Sequence, residues 1–72
     1  MIKTRVYEVL GSRRRIVNTI DFGSCFRNLP WTANADMNDP EVQMKAGLEI
    51  ADMWRRNGPE PHATYEVEQT DR

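Results

Sequence analysis

The chain has 72 residues, of which 39% are hydrophobic and 29% charged, and its formal net charge is -1. These values predict one small domain over residues 1–72, with a thin core and no membrane-spanning segment. The single cysteine, Cys25, excludes an internal disulfide, and one cysteine with one histidine excludes a usual structural zinc site. A lone thiol without an N-terminal apolar block predicts a cytoplasmic protein that carries no metal or cofactor.

The small net charge conceals a strong asymmetry along the chain. Residues 1–28 contain six basic and two acidic side chains, whereas residues 29–72 contain four basic and nine acidic ones. Such a division predicts one region that attracts anionic partners and another that suits a basic surface, including one that normally holds nucleic acid.

Two alternating segments at the N-terminus predict a β-hairpin. The first runs from Ile2 to Leu10, and the second from about Arg14 to Phe22. Gly11 and Ser12 between them supply the turn. The alternation of the second strand predicts that one face carries Ile16, Asn18, Ile20 and Phe22.

A long loop and a well-delimited helix follow. Residues 23–38 show no regular period and are expected to form an irregular loop. Asp39 is a good N-cap and Pro40 suits the first helical position, so a helix is predicted to begin at Pro40, with Arg55 and Arg56 in its last turn. The pair Asn57-Gly58 predicts that the helix ends in the left-handed conformation.

The segment from His62 to Gln69 alternates again and predicts a third strand. His62 itself, between Pro61 and Ala63, is expected to be exposed. The order strand, strand, helix, strand predicts an α+β fold, in which one helix packs on a face of a three-stranded antiparallel sheet.

The predicted helix is apolar over more than half of its circumference. One arc, which we expect to face the sheet, carries Val42, Ala46, Ile50, Met53 and Trp54, and an adjacent arc carries Met44, Leu48 and Ala51. A three-stranded sheet cannot cover both arcs, so either the long loop folds over the helix or another protein chain does.

Four apolar residues are therefore candidate contacts for a partner protein. Phe26 and Trp31 lie in the long loop, and Trp31 follows a proline that restrains it. Met44 and Leu48 lie on the second arc of the helix, where adaptable side chains suit an interface. The alternative for each is a place in the core of the domain.

Three consecutive arginines, Arg13, Arg14 and Arg15, lie at or beside the hairpin turn. Guanidinium groups in such a run bind phosphate or carboxylate, so they are candidate orienting charges for a protein partner or contacts for nucleic acid. The alternative is a solvated turn.

Catalysis has little support, because no set of nucleophile, base and orienting residue has a diagnostic spacing. We expect no enzymatic activity. The sequence favours a non-enzymatic regulator or inhibitor that occupies a surface of a larger complex, including a complex that handles nucleic acid, as virus-encoded inhibitors of host machinery do. The alternatives are a nucleic-acid-binding protein that uses the basic hairpin, and a homodimeric structural or regulatory subunit joined through the helix.

Overall fold

The fold is taken from a computed structural model that describes residues 1–71, so Arg72, the last residue of the predicted domain, lies outside the described residues. The strands form one antiparallel sheet in the order β2-β1-β3, and the α-helix packs across one face of it. In chain order the elements are β1 (Ile2–Leu10), β2 (Arg13–Ile20), a 3-10 helix (Pro30–Asn34), α1 (Pro40–Asn57) and β3 (Thr64–Asp71). The predicted α+β class and ββαβ order are confirmed.

The hairpin turn between β1 and β2 depends on Gly11. Leu10 pairs with Arg13, so the turn has only two central residues. Gly11 has a φ of 62°, the one positive φ within residues 1–71. A positive φ at the first central position alone defines a type II′ turn, whose twist matches that of the strands it joins.

A β-bulge in β2 overturns the predicted alternation of that strand. Val6 pairs with Asn18, but the next residue of β1, Tyr7, pairs with Ile16, so Val17 is the extra residue. Directly paired residues share a face of the sheet, which puts Ile16 and Asn18 on opposite faces. The prediction that Ile16 shares a face with Asn18 was therefore wrong.

One end of β2 and one end of β3 differ from their predicted positions because local hydrogen bonds form turns there. β2 ends at Ile20 because the Asp21 carboxylate accepts from the Gly23 backbone N–H (3.1 Å) in a tight turn, which places Phe22 outside the strand. β3 begins at Thr64 because the residues before it turn back, with the Ala63 N–H bonded to the Glu60 carbonyl at 3.1 Å.

The start of α1 is as predicted, whereas its end differs. The Asp39 carboxylate accepts from the Glu41 N–H (2.9 Å), as an N-cap does. At the other end, Gly58 donates its N–H to the Trp54 carbonyl (2.7 Å) but has an extended backbone, with φ -71° and ψ 160°. The predicted left-handed end is therefore absent from the described chain, because Pro59 forces the residue before it into an extended conformation.

The loop between β2 and α1 covers part of the helix surface that the sheet leaves open. Leu29 and Met37 are buried in the core, and Phe26, Trp31 and Ala35 are partly buried against it. The loop is not wholly irregular, since it contains the 3-10 helix. Thr32 organises it by accepting from the Phe26 N–H (2.9 Å) and donating to the Leu29 carbonyl (2.6 Å).

The helix stripe that meets the sheet includes two residues that hydropathy does not mark. Gln43 is buried, and its amide donates to the Met37 carbonyl (2.7 Å) and accepts from the Thr4 hydroxyl (3.0 Å). Gly47 lies so close to the sheet that a Cβ on it would stand 2.9 Å from the Thr4 methyl and 3.0 Å from a Val67 methyl. These contacts determine how α1 is rotated against the sheet.

Candidate functional site

The outward side of α1 carries the most exposed apolar residue of the helix, Leu48. Its exposed fraction is 53%, whereas Ala51, which the sequence placed on the same arc, is completely buried. Leu48 and Glu49 together stand between two shallow depressions. The one toward β3 is also lined by Met44, Lys45 and Gln69, and the one toward the loop by Asn28, Leu29, Asp52 and Met53.

Trp31 is attached to this side of the helix by two contacts. Its indole Nε1 donates to Glu49 Oε1 at 3.1 Å, and the Lys45 ammonium lies 4.4 Å from the ring centroid, within the range of a cation–π contact. Lys45 and Glu49 also line the depression that contains Met44 and Leu48. The structure thus brings together three of the predicted contact residues, Trp31, Met44 and Leu48.

Phe26 lies apart from that group. It lines a separate cleft of about 520 Å³, at the end of α1 where Trp54 and Asn57 are found. The cleft adjoins the depression on the loop side of Leu48, because Asn28, Leu29 and Met53 line both. The four predicted apolar contacts therefore lie along one band on the outside of α1 and the loop.

The three arginines do not form a common basic patch. Arg14 crosses the helix-free face of the sheet, with its guanidinium 3.6 Å from the Tyr7 ring centroid, and reaches Glu66 and Glu68 on β3 at 3.5 and 3.4 Å. Arg15 lies on the opposite face, where its Nε donates to Glu8 at 2.8 Å. Two of the three predicted partner contacts are thus paired within the chain, whereas Arg13 is exposed at the turn.

The Glu8 carboxylate at the end of that ion pair is a buried charge that sequence reasoning missed. Its side chain is 1% exposed, and it accepts from Arg15 (2.8 Å) and from the Tyr65 hydroxyl (2.9 Å). The hydrogen bond from Arg15, assisted by that from Tyr65 and by the charges of Arg15 and Arg13, lowers the pKa of Glu8 against the opposing effect of burial. Burial, together with the bond to Glu8, raises the pKa of Tyr65.

The helix-free face of the sheet also carries both signs of charge. Lys3 and Arg5 lie there on β1, and Glu68 is the residue of β3 that pairs with Arg5. Because acidic side chains lie between the basic ones, this face does not form the continuous positive groove that tracks a nucleic-acid backbone.

No family model matches the chain, and neither the curated proteins nor the solved structures contain a match. None of the helices in the described part of the chain has the length and apolar character needed to cross a membrane.

Proposed function

We propose that the protein is a non-enzymatic regulator or inhibitor that binds a larger protein complex through the outward side of α1. The observation that carries this proposal is the exposure of Leu48 between two depressions, on a helix that packs against the sheet. Apolar side chains near the centre of a contact surface, with charged groups around them, are typical of protein interfaces.

The surroundings of Leu48 support a protein as the partner. Met44 offers an adaptable apolar contact beside it, and Lys45, Glu49 and Asp52 surround the patch with charges of both signs. Mixed charges orient a protein partner, whereas a polyanion requires an excess of cations. We propose that this protein is a virus-encoded inhibitor and that its target is a complex that handles nucleic acid. The exposed Cys25 thiol is suited to a reducing cytoplasm.

The Leu48→Asp variant is expected to lose the partner while keeping its fold. Asp at an exposed helix position disturbs the core little, but it places a charge at the centre of the apolar contact, so affinity should fall by at least about tenfold. The measurement is quantitative capture by the immobilised protein from lysate of its own or its host cells, with the bound proteins identified by mass spectrometry.

Phe22→Asp is the matched control, because Phe22 is 57% exposed, lies in the turn after β2 and lines neither of the depressions beside Leu48. A defined set of proteins that Phe22→Asp retains and Leu48→Asp loses supports the proposal. Equal capture by both variants contradicts it. Nuclease treatment distinguishes the nucleic-acid alternative, which predicts that all bound material is released. A mass twice that of one chain, reduced to one by Leu48→Asp, would instead indicate the homodimer.

A further inference from the structure

The cleft beside Trp54 differs chemically from the rest of this highly charged surface. Among residues 1–71, none of the side chains that line it is charged. Its walls combine apolar groups, including Phe26, Met53 and Trp54, with the carboxamides of Asn18 and Asn57. Its volume of about 520 Å³ falls within the range of ligand pockets, which are mainly apolar and contain a few polar groups that fix orientation.

The aromatic wall of this cleft is held in place by an ordered series of contacts. The Trp54 Nε1 donates to Asn18 Oδ1 at 2.8 Å, and its ring stacks on Tyr65 with centroids 5.9 Å apart. Tyr65 in turn donates to the buried Glu8 carboxylate. Because these contacts already restrain the indole, a ligand that packs against it loses little free energy to ordering of the protein.

The carboxamides offer both kinds of hydrogen-bonding group to a ligand. Asn18 accepts from Trp54 through Oδ1, so its Nδ2 is the group available to donate. Asn57 donates through Nδ2 to the Met53 carbonyl at 3.3 Å, so its Oδ1 is available to accept. A donor and an acceptor in the lining of an apolar pocket complement the C=O and N–H of a peptide that inserts its side chain.

We propose that this cleft receives one uncharged apolar side chain, with its flanking peptide groups, from the protein partner. The inference rests on the proposed function, because the cleft continues the depression beside Leu48 through Asn28, Leu29 and Met53. A charged side chain would lose its hydration there without gaining a counter-charge. A phosphate-bearing ligand is disfavoured for the same reason, since no cation lines the cleft within the described residues.

The direct test is a titration of the full chain with capped amino acids, followed by NMR. N-acetyl-tryptophanamide and N-acetyl-leucinamide are the neutral apolar probes, and N-acetyl-lysinamide is the charged one. We expect the neutral probes to shift the Trp54 Nε1–H signal and the side-chain amide signals of Asn18 and Asn57 at concentrations on the order of millimolar. The charged probe should leave these signals in place.

Asn18→Asp supplies the matched variant, because its carboxylate still accepts from Trp54 while it puts a charge in the cleft. We expect it to bind the neutral probes roughly tenfold more weakly, by loss of a donor and addition of a desolvated charge. Asn28→Asp, on the exposed part of the loop, also adds a charge to the lining of the cleft but leaves the hydrogen bond of Trp54 unchanged. It too should weaken the binding of the neutral probes. Asn34→Asp, in the 3-10 helix, should bind as the wild type does.

Equal shifts by charged and neutral probes, or shifts confined to residues around Leu48, would overturn the inference, and so would unchanged binding by both cleft variants. Because the probes bind without the partner, this failure is distinct from that of the proposed function. If the probes bind in the cleft but Leu48→Asp captures the same proteins as the wild type, the proposed function through Leu48 is contradicted. The cleft would then be a ligand site independent of that surface.

Discussion

Gly47→Ala is expected to lower the stability of the domain, although alanine is the better helix former. Helix propensity alone would favour alanine by about 1 kcal/mol. The added Cβ, however, would lie 2.9 Å from the Thr4 methyl and 3.0 Å from the Val67 methyl, and both belong to stiff β-branched side chains. Forcing α1 away from the sheet should cost roughly 1–3 kcal/mol, measured by chemical denaturation.

Two further variants identify the cause of that loss. Gly23→Ala, where the nearest atom is 3.8 Å away, should change stability little or increase it slightly. Thr4→Ser removes the contacted methyl but keeps the hydroxyl that bonds to Gln43, so in the Gly47→Ala background it should restore part of the stability. A stabilised Gly47→Ala protein would show that the helix does not approach the sheet so closely.

The stability of the protein is expected to fall in acid chiefly because Glu8 becomes protonated. Its pKa in the folded state lies below the usual range, since Arg15 and Tyr65 bond to the ionised form. The ionised carboxylate therefore stabilises the fold above the ordinary glutamate pKa of about 4.3, and this contribution is lost as the pH falls through the lowered pKa. Thermal unfolding followed between neutral and strongly acidic pH measures the effect.

Glu8→Gln should unfold at a lower temperature than the wild type at neutral pH and show a flatter dependence on pH below the glutamate range. It leaves the Arg15 guanidinium without its carboxylate while it keeps the size of the side chain. Glu66→Gln, whose ion pair with Arg14 is exposed, is the control and should alter stability little. Equal pH profiles for wild type and Glu8→Gln would assign the acid sensitivity to other carboxylates.

The raised pKa of Tyr65 predicts that the protein also loses stability at high pH. The protonated hydroxyl donates to Glu8, so its contribution is complete below the ordinary tyrosine pKa of about 10 and is lost as the pH rises through the raised value. Tyr65→Phe keeps the ring that stacks on Trp54 but removes the titrating hydroxyl, so it should lack this alkaline loss when thermal unfolding is followed at high pH.

The sequence predicts the elements of this fold well because their signals are local. The alternation of polar and apolar residues predicts the observed bounds of β1, and the N-cap Asp39 followed by Pro40 predicts the start of α1. The bulge at Val17 was not predictable in the same way, since it depends on how β2 fits against β1 and the helix. Strict alternation therefore placed Ile16 on the wrong face.

The rotation of α1 explains what the sequence could and could not show of the candidate site. A helical wheel gives the angles between residues, but not which stripe meets the sheet. Gly47 and Gln43 decide that rotation, through close approach and buried hydrogen bonds, and neither counts as apolar. For this reason Ala51 is buried while Leu48 is exposed.

The pairing of Glu8 with Arg15 also escaped the sequence analysis, although one signal for it was present. Alternation along the first strand puts Ile2, Thr4 and Val6 on one face, with Glu8 next in that row. An acidic residue at an inward position requires a partner, and the hairpin register supplies Arg15 directly opposite.

The order of the strands leaves β2 and β3 as open edges, and each edge is protected against pairing with another sheet. β2 combines the arginines at its start with the bulge at Val17, which bends the strand away from a flat template. On β3, two edges joined about Val67 would bring Glu66 of one copy opposite Glu68 of the other, and like charges in that position repel. Edge-to-edge growth into larger sheets is thus disfavoured, although the chain exposes sixteen residues of edge strand.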